Sequence, residues 1–392
     1  MYNINRDMKY ISDELEKIKK SGLYRELNIV ESVQGTHLEI KGKTYLTFCS
    51  NNYLGLANHP VIIKAVKDAV EKYGWGAGAS RLVSGNMKLH EALESEISRF
   101  KGKEASIVFP TGYMANIGTI SSLVSKGDLV ICDKLNHASI IDGCRLSGAD
   151  FRVYPHCDME KLENILRKSS KYHQKLIVTD TVFSMDGDLA PLSDIVRIAS
   201  KYNAMVMADE AHGAGVFGKM GRGVVEHFNL SKKVSIIMGT LSKAVGSLGG
   251  YVSGDADLIN FLRNKARPFM YTTALPPAVC AASIAGIRLI RENASLRTSL
   301  WNNVRYLREK LDLLNINVTS SESPIIPILI GDAKKAVDVS AFLYKKGILI
   351  PAIRPPTVPA RSSRLRMTVM STHTREEMER LLDVLRDVLD PK

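Results

Sequence analysis

Between residues 105 and 254 the chain alternates short apolar runs with longer segments whose apolar positions recur every three or four residues. The runs are ASIVF (105–109), DLVIC (128–132), FRVY (151–154), KLIVTD (175–180), AMVMAD (204–209), VSIIMGT (234–240) and GGYVSG (249–254). Each has the length of a strand and most are rich in Val and Ile. Uninterrupted apolar strands imply a sheet covered on both faces. With helical intervals between them, the pattern predicts an α/β fold with a largely parallel central sheet.

The flanks follow other periods. Residues 60–73 place Ile62, Val66, Ala69, Val70 and Tyr73 on one helical face, with Pro60 suited to the first turn and Gly74 to the stop. A second helix, 89–100, ends at Gly102. Residues 1–48 read as an amphipathic helix followed by the hairpin HLEIKGKTYLTF, turning at Lys41-Gly42-Lys43. A helical segment runs from about Leu275 to Leu314 and leads into a smaller C-terminal α+β unit. The apolar stretch at 275–290 contains Pro276 and Pro277 and is too short for a membrane span, so it predicts a buried helix. The expected organisation is three units: a short N-terminal segment (1–48), a large α/β domain (49–285) and a small C-terminal α+β domain (286–392).

Composition narrows the function classes. The first twenty residues are charged throughout and contain no apolar core, so no secretory signal is read there. Five scattered cysteines without a C-x-x-C pair argue against a disulfide scaffold or a zinc site; no metal is expected, and a reducing cytoplasm fits. The net charge of +12 points to anionic partners. No basic run interleaved with aromatics is present, so nucleic acid is not the expected partner, and phosphorylated cofactors and acyl carriers account for the charge equally well.

The chemistry concentrates at strand ends. One strand closes on Asp209-Glu210-Ala211-His212 and another on Thr240-Leu241-Ser242-Lys243. That edge is where open α/β sheets bind ligands. Small residues surround the lysine, Gly239 before it and Ala244 and Gly246 after it, and leave room for a bulky group. An amine, a carboxylate and the turn Thr111-Gly112-Tyr113, which opens a helix N-terminus, are the parts a pyridoxal-phosphate (PLP) enzyme needs: an imine partner, a partner for the pyridinium nitrogen, and phosphate donors.

With these stand further motifs: SNNYLGL (50–56), GWGAGASRLVSG (74–85), FPTGYMAN (109–116), NHASIIDG (136–143), TVFSMDGD (181–188), DEAHGAGVFG (209–218), GTLSKAVG (239–246), YTTALPP (271–277) and RLRMT (364–368). Together they identify a resemblance to the α-oxoamine synthases, a family of fold-type-I PLP-dependent transferases, from about residue 20 to near the C-terminus. The resemblance implies a decarboxylating condensation of an amino acid with an acyl thioester. It assigns the PLP Schiff base to Lys243, the pyridine nitrogen to Asp209, and the ring's phenolic oxygen to His212 and Ser184. His137 is implied to stack on the ring and to act in catalysis. Thr240 and the backbone of Gly112 and Tyr113 are implied to hold the phosphate, aided by Thr273 from the neighbouring subunit of a homodimer. Asn51, Arg25, Thr357 and Arg366 match substrate-side positions, with Arg366 the expected partner of the amino-acid carboxylate. The run Ala352–Pro359 resembles members that join L-alanine to a pimeloyl thioester, carried by coenzyme A (CoA) or acyl carrier protein, in biotin synthesis. Arg354 and Arg25 are then candidates for the acyl chain's carboxylate or its carrier. Glycine with acetyl-CoA is the alternative pair. Arg364 is expected to face solvent, and Cys157 to alter a turn.

Overall fold

All seven apolar runs become strands of a single sheet in the computed structural model, which describes residues 8–21 and 23–389. The strands in chain order are β1 (His37–Ile40), β2 (Lys43–Thr47), β3 (Ala105–Phe109), β4 (Leu129–Asp133), β5 (Asp150–Tyr154), β6 (Lys175–Asp180), β7 (Met205–Asp209), β8 (Ile236–Thr240), β9 (Gly250–Gly254), β10 (Ile325–Gly331), β11 (Ile348–Leu349), β12 (Ala352–Ile353) and β13 (Ser363–Thr368). The large sheet has the order β3-β9-β8-β7-β6-β4-β5. From β8 to β5 every pairing is parallel, whereas β9 runs antiparallel to both its neighbours. The short connection 241–249 explains the reversal, because a parallel return needs a longer crossover.

Alternate residues of each inner strand feed opposite cores, as the pleat requires. In β4, Leu129 and Ile131 join the larger cluster with Leu162, Leu192 and Ile195, while Val130 and Cys132 join Ile120, Ile140 and Cys144 on the other face. At the sheet edge β5 is covered less, and Arg152 and Val153 are exposed there. The helix Pro60–Tyr73 buries Ile62 and Ala69, but Val70 turns outward. Helix Lys88–Lys101 stops at Gly102, whose φ of 66° is left-handed. The apolar 275–290 stretch forms the buried helix Pro277–Glu292. Among the described residues no helix is long and apolar enough to cross a membrane.

Two small sheets carry the rest. The hairpin β1–β2 turns at Lys41 (φ 51°) and Gly42 (φ 67°), both left-handed as in a type I′ turn. β2 then pairs in parallel with β11, Leu46 opposite Ile348, so distant segments share a sheet. In the other sheet β13 lies between β10 and β12. Arg364 and Arg366 are two apart on this central strand and therefore share a face. Both are buried, which corrects the expectation that Arg364 meets solvent. Its guanidinium donates to Met185 O at 3.2 Å and pairs with Asp186, contacts supplied by a loop nearly 180 residues away in the chain.

Candidate active site

The C-terminal ends of β6, β7 and β8 open onto a cavity of about 260 Å³, closed on one side by the start of helix Gly112–Leu123. Register places Asp180 beside Asp209 and Asp209 beside Met238. Asp209 lies buried at the floor, where Oδ1 accepts the Ala211 N–H and Oδ2 accepts the Asn116 amide, each at 2.8 Å. Asp180 is also buried. Loss of hydration and the neighbouring Asp209 push its carboxyl well above the usual range.

Lys243 is half-buried, with its ammonium end enclosed in the cavity. Burial lowers its pKa to about 8, with Arg366 adding to the effect and Asp209 and Asp180 opposing it. Nζ donates to His212 Nε2 at 2.8 Å, and His212 Nδ1 shares a 2.7 Å hydrogen bond with the Tyr53 hydroxyl. Burial, then the charge of Lys243, holds His212 well below the ordinary imidazole range. The lysine therefore leans on a neutral ring.

Opposite the carboxylates, Thr111 caps helix Gly112–Leu123 by accepting the Met114 N–H at 3.1 Å. A side chain at Gly112 would press on Met238 Cε at 3.2 Å and Thr240 Cβ at 3.4 Å, so the turn lies close against β8. Thr240 Oγ1 donates to Gly249 O at 2.8 Å and lies 2.7 Å from Ser242 Oγ. The Tyr113 hydroxyl donates to Asp142 at 2.5 Å. His137 caps helix Ala138–Ser147, and its backbone N–H donates to Asp180 at 2.6 Å. The ring is open to the cavity on one side. Desolvation lowers its pKa, and Lys243 does so further against the pull of Asp209.

Of the expected site residues, Gly112, Tyr113, His137, Asp209, His212, Thr240 and Lys243 line this one cavity. Arg366 forms a second group, with Nε donating to Ser184 O at 2.6 Å and Nη2 to Asn51 Oδ1 at 3.3 Å. It is Ser184's carbonyl, rather than its hydroxyl, that makes this contact. Arg25, Arg354 and Thr357 come together elsewhere, in a cavity of about 780 Å³ shared with Leu23, Tyr24 and Pro355. Thr273 lines neither cavity; it is exposed and bridges Ser80. Sequence reasoning missed Tyr53, Asn116, Ser139 and Asp180. Asp180 was within reach, because it ends KLIVTD at the same sheet edge as Asp209.

The donors fit PLP. An enclosed amine, a carboxylate held by two N–H groups, a helix N-terminus and an imidazole face one space, and the carbonyl of buried Asn116 has no partner among the described residues. Residues 43–385 match the family described as aminotransferase class I and II. The chain belongs to that family. This aminotransferase-family chain is 48% identical over 383 residues to 8-amino-7-oxononanoate synthase of Thermoanaerobacter pseudethanolicus, with 97% of each chain covered. It is 46% identical over 381 residues to 8-amino-7-oxononanoate synthase 1 of Bacillus velezensis, again with 97% of each covered. Its fold matches serine palmitoyltransferase of S. paucimobilis with a bound PLP–myriocin aldimine, at a TM-score of 0.92 and 34% identity over 98% of each chain. Within the aminotransferase class, the α-oxoamine synthase resemblance carried by the motifs thus extends over nearly the whole length.

Proposed function

We propose that the protein is a PLP-dependent acyltransferase. It condenses L-alanine with a pimeloyl thioester, carried by CoA or acyl carrier protein, and releases carbon dioxide to give 8-amino-7-oxononanoate for biotin. The observation that carries this reading is the enclosed Lys243 amine facing Asp209 and neutral His212, in a chain 48% identical to a synthase of that name.

Lys243 would hold PLP as an imine until the substrate's amine takes its place, and the cofactor would then supply an electron sink for charge at the amino acid's Cα. The chain's own residues do the rest. Asp209, oriented by the Asn116 and Ala211 N–H groups, holds the proton on the pyridine nitrogen. Backbone N–H groups at Gly112 and Tyr113 bind the phosphate at the helix N-terminus, with Thr240 beside them. His212 and Ser184 serve the ring's phenolic oxygen. Once released from the cofactor, Lys243 would serve as the general base for the α-proton, a task helped by the lowering of its pKa by burial. The Arg366 guanidinium is aimed by Ser184 O and Asn51 Oδ1, which fits it to clamp the substrate carboxylate. His137 presents its ring to the cavity and stabilises charge that develops on the thioester oxygen. The outer cavity of Arg25, Arg354 and Thr357 combines apolar walls with two cations, which suits an acyl chain ending in a carboxylate.

The same reading includes a homodimer. Trp75, Leu82, Val83 and Tyr271 are exposed on two segments that are joined by the Ser80–Thr273 bridge and the Ala274-to-Ala79 hydrogen bond. An apolar surface of this kind is suited to a second copy, which would carry Thr273 to its neighbour's phosphate site. Five free cysteines suit a cytoplasmic setting. The decisive assay gives PLP-loaded protein either L-alanine with pimeloyl-CoA or glycine with acetyl-CoA, with Lys243→Ala as control. Turnover of the first pair, lost in Lys243→Ala, is expected. Turnover of the second pair alone would keep the chemistry and replace the substrates.

A further inference from the structure

A chain of polar side chains links the floor of the cavity to His137. Asn116, on helix Gly112–Leu123, is 1% exposed. Its Nδ2 donates to Asp209 Oδ2 at 2.8 Å and to Ser139 Oγ at 2.8 Å. Ser139 Oγ lies 2.8 Å from His137 Nδ1, and the Ser139 backbone N–H lies 3.3 Å from the same nitrogen.

The directions of these bonds can be assigned in turn. Reversing the Asn116 amide would set its carbonyl oxygen against the Asp209 carboxylate, two acceptors facing each other, so Nδ2 must be the atom that meets Asp209. An amide nitrogen carries two hydrogens and accepts nothing, so its second hydrogen goes to Ser139 Oγ. That oxygen accepts from Asn116 and has one hydrogen left, which points to His137 Nδ1. The Ser139 backbone N–H reaches Nδ1 as well. A hydrogen on Nδ1 would face both donors, so Nδ1 accepts, and in the neutral ring the proton sits on Nε2. Nε2 takes no part in these bonds, and the ring lines the cavity.

We propose that Asn116 and Ser139 are positioning residues that lock His137 as its Nε2–H tautomer, so that a hydrogen-bond donor faces the substrate. The proposal rests on the reading of His137 as the group that stabilises the thioester oxygen, and it names what sets the proton for that task. An acceptor nitrogen at the same place would repel a developing oxyanion.

The test is ring-¹⁵N histidine NMR of the protein with and without PLP, using His137→Gln to assign the signal. Wild type is expected to show one tautomer from pH 6.5 to 8.5, with Nε2 protonated and Nδ1 accepting. Ser139→Ala should give a mixture of tautomers and Ser139→Thr should restore the single form; Asn116→Ala tests the lock from its other end. Turnover by Ser139→Ala should fall about tenfold with the KM for L-alanine within about twofold, as for loss of a transition-state contact. A wild-type Nδ1–H signal, or an Nε2–H signal that does not move in Ser139→Ala and Asn116→Ala, overturns the proposal. Absence of wild-type turnover with the lock intact would overturn the substrate reading instead and leave the tautomer assignment supported.

Discussion

For a single residue, the environment of Lys243 decides whether it can react. Water is largely removed from its ammonium, Arg366 repels it, and the two carboxylates recover only part of the loss, so its pKa falls from 10.5 to about 8. A lowered lysine pKa makes the neutral nucleophile available at lower pH. The rate at which cofactor-free protein reacts with added PLP should therefore rise through about pH 8, followed by absorbance from pH 6 to 10. A rate still climbing towards pH 10.5 would show an exposed, ordinary lysine. Lys243, Asp209 and His212 were legible in the sequence because each follows an apolar strand whose C-terminal end can be located. Tyr53 was not, although SNNYLGL contains it. Its partner His212 is 159 residues away, and no local pattern reports a contact made by folding.

At the level of elements, the cavity depends on loops fastened by polar clamps and on strands that approach closely. His156, just past β5, sits between Asp133 of β4 at 3.0 Å and Asp188 of the 181–188 loop at 2.7 Å. Burial alone would lower its pKa, but the hydrogen bonds its ring donates to Asp133 and Asp188 together raise it to about 12. Because the folded value is raised, its stabilisation is complete below about pH 6.5, the unfolded histidine value, and is lost as pH climbs towards 12. His156→Gln should cost about 3 kcal/mol at pH 6, in the manner of a broken ion pair that leaves its partners unpaired. Melts at pH 6 and pH 9.5 should show that difference shrinking; equal differences would mean the ring is uncharged. Gly250 of β9 tests close approach. An added Cβ would lie 2.5 Å from Thr111 O and 2.6 Å from Gly112 Cα, and so would displace the turn proposed to hold the phosphate. Gly250→Ala should weaken PLP binding about tenfold, or about 1.4 kcal/mol. Unchanged affinity in a PLP titration would remove that turn from the phosphate site. The strands of the large sheet were legible to within a residue or two, because uninterrupted apolar runs leave a buried sheet as the natural reading. Cys157 sits in its turn at a left-handed φ of 54°. The burial of Arg364 was not legible, because its compensating partners lie on another element.

For the whole molecule, the pairing of β2 with β11 and the gathering of Arg25 with Arg354 join the two ends of the chain, and neither is written in any local pattern. The position of Thr273 raises the same question between subunits. It is exposed, bridges Ser80 and is absent from the cavity its own chain builds, whereas Lys243 lies inside that cavity. If Thr273 serves the neighbour's phosphate site, the two residues of one chain work in different sites of a twofold dimer. Lys243→Ala and Thr273→Arg should each be nearly inactive alone. Unfolding the two together and reassembling them gives hybrid dimers in about half the population, by random pairing of equal amounts. In each hybrid, one site collects both defects and the other collects neither. Activity should therefore return to about a quarter of wild type, because half the dimers regain one of two sites. If each chain served only its own site, every site in every hybrid would keep one defect and no activity would return. Mixing therefore separates a shared site from a private one even where neither variant alone could.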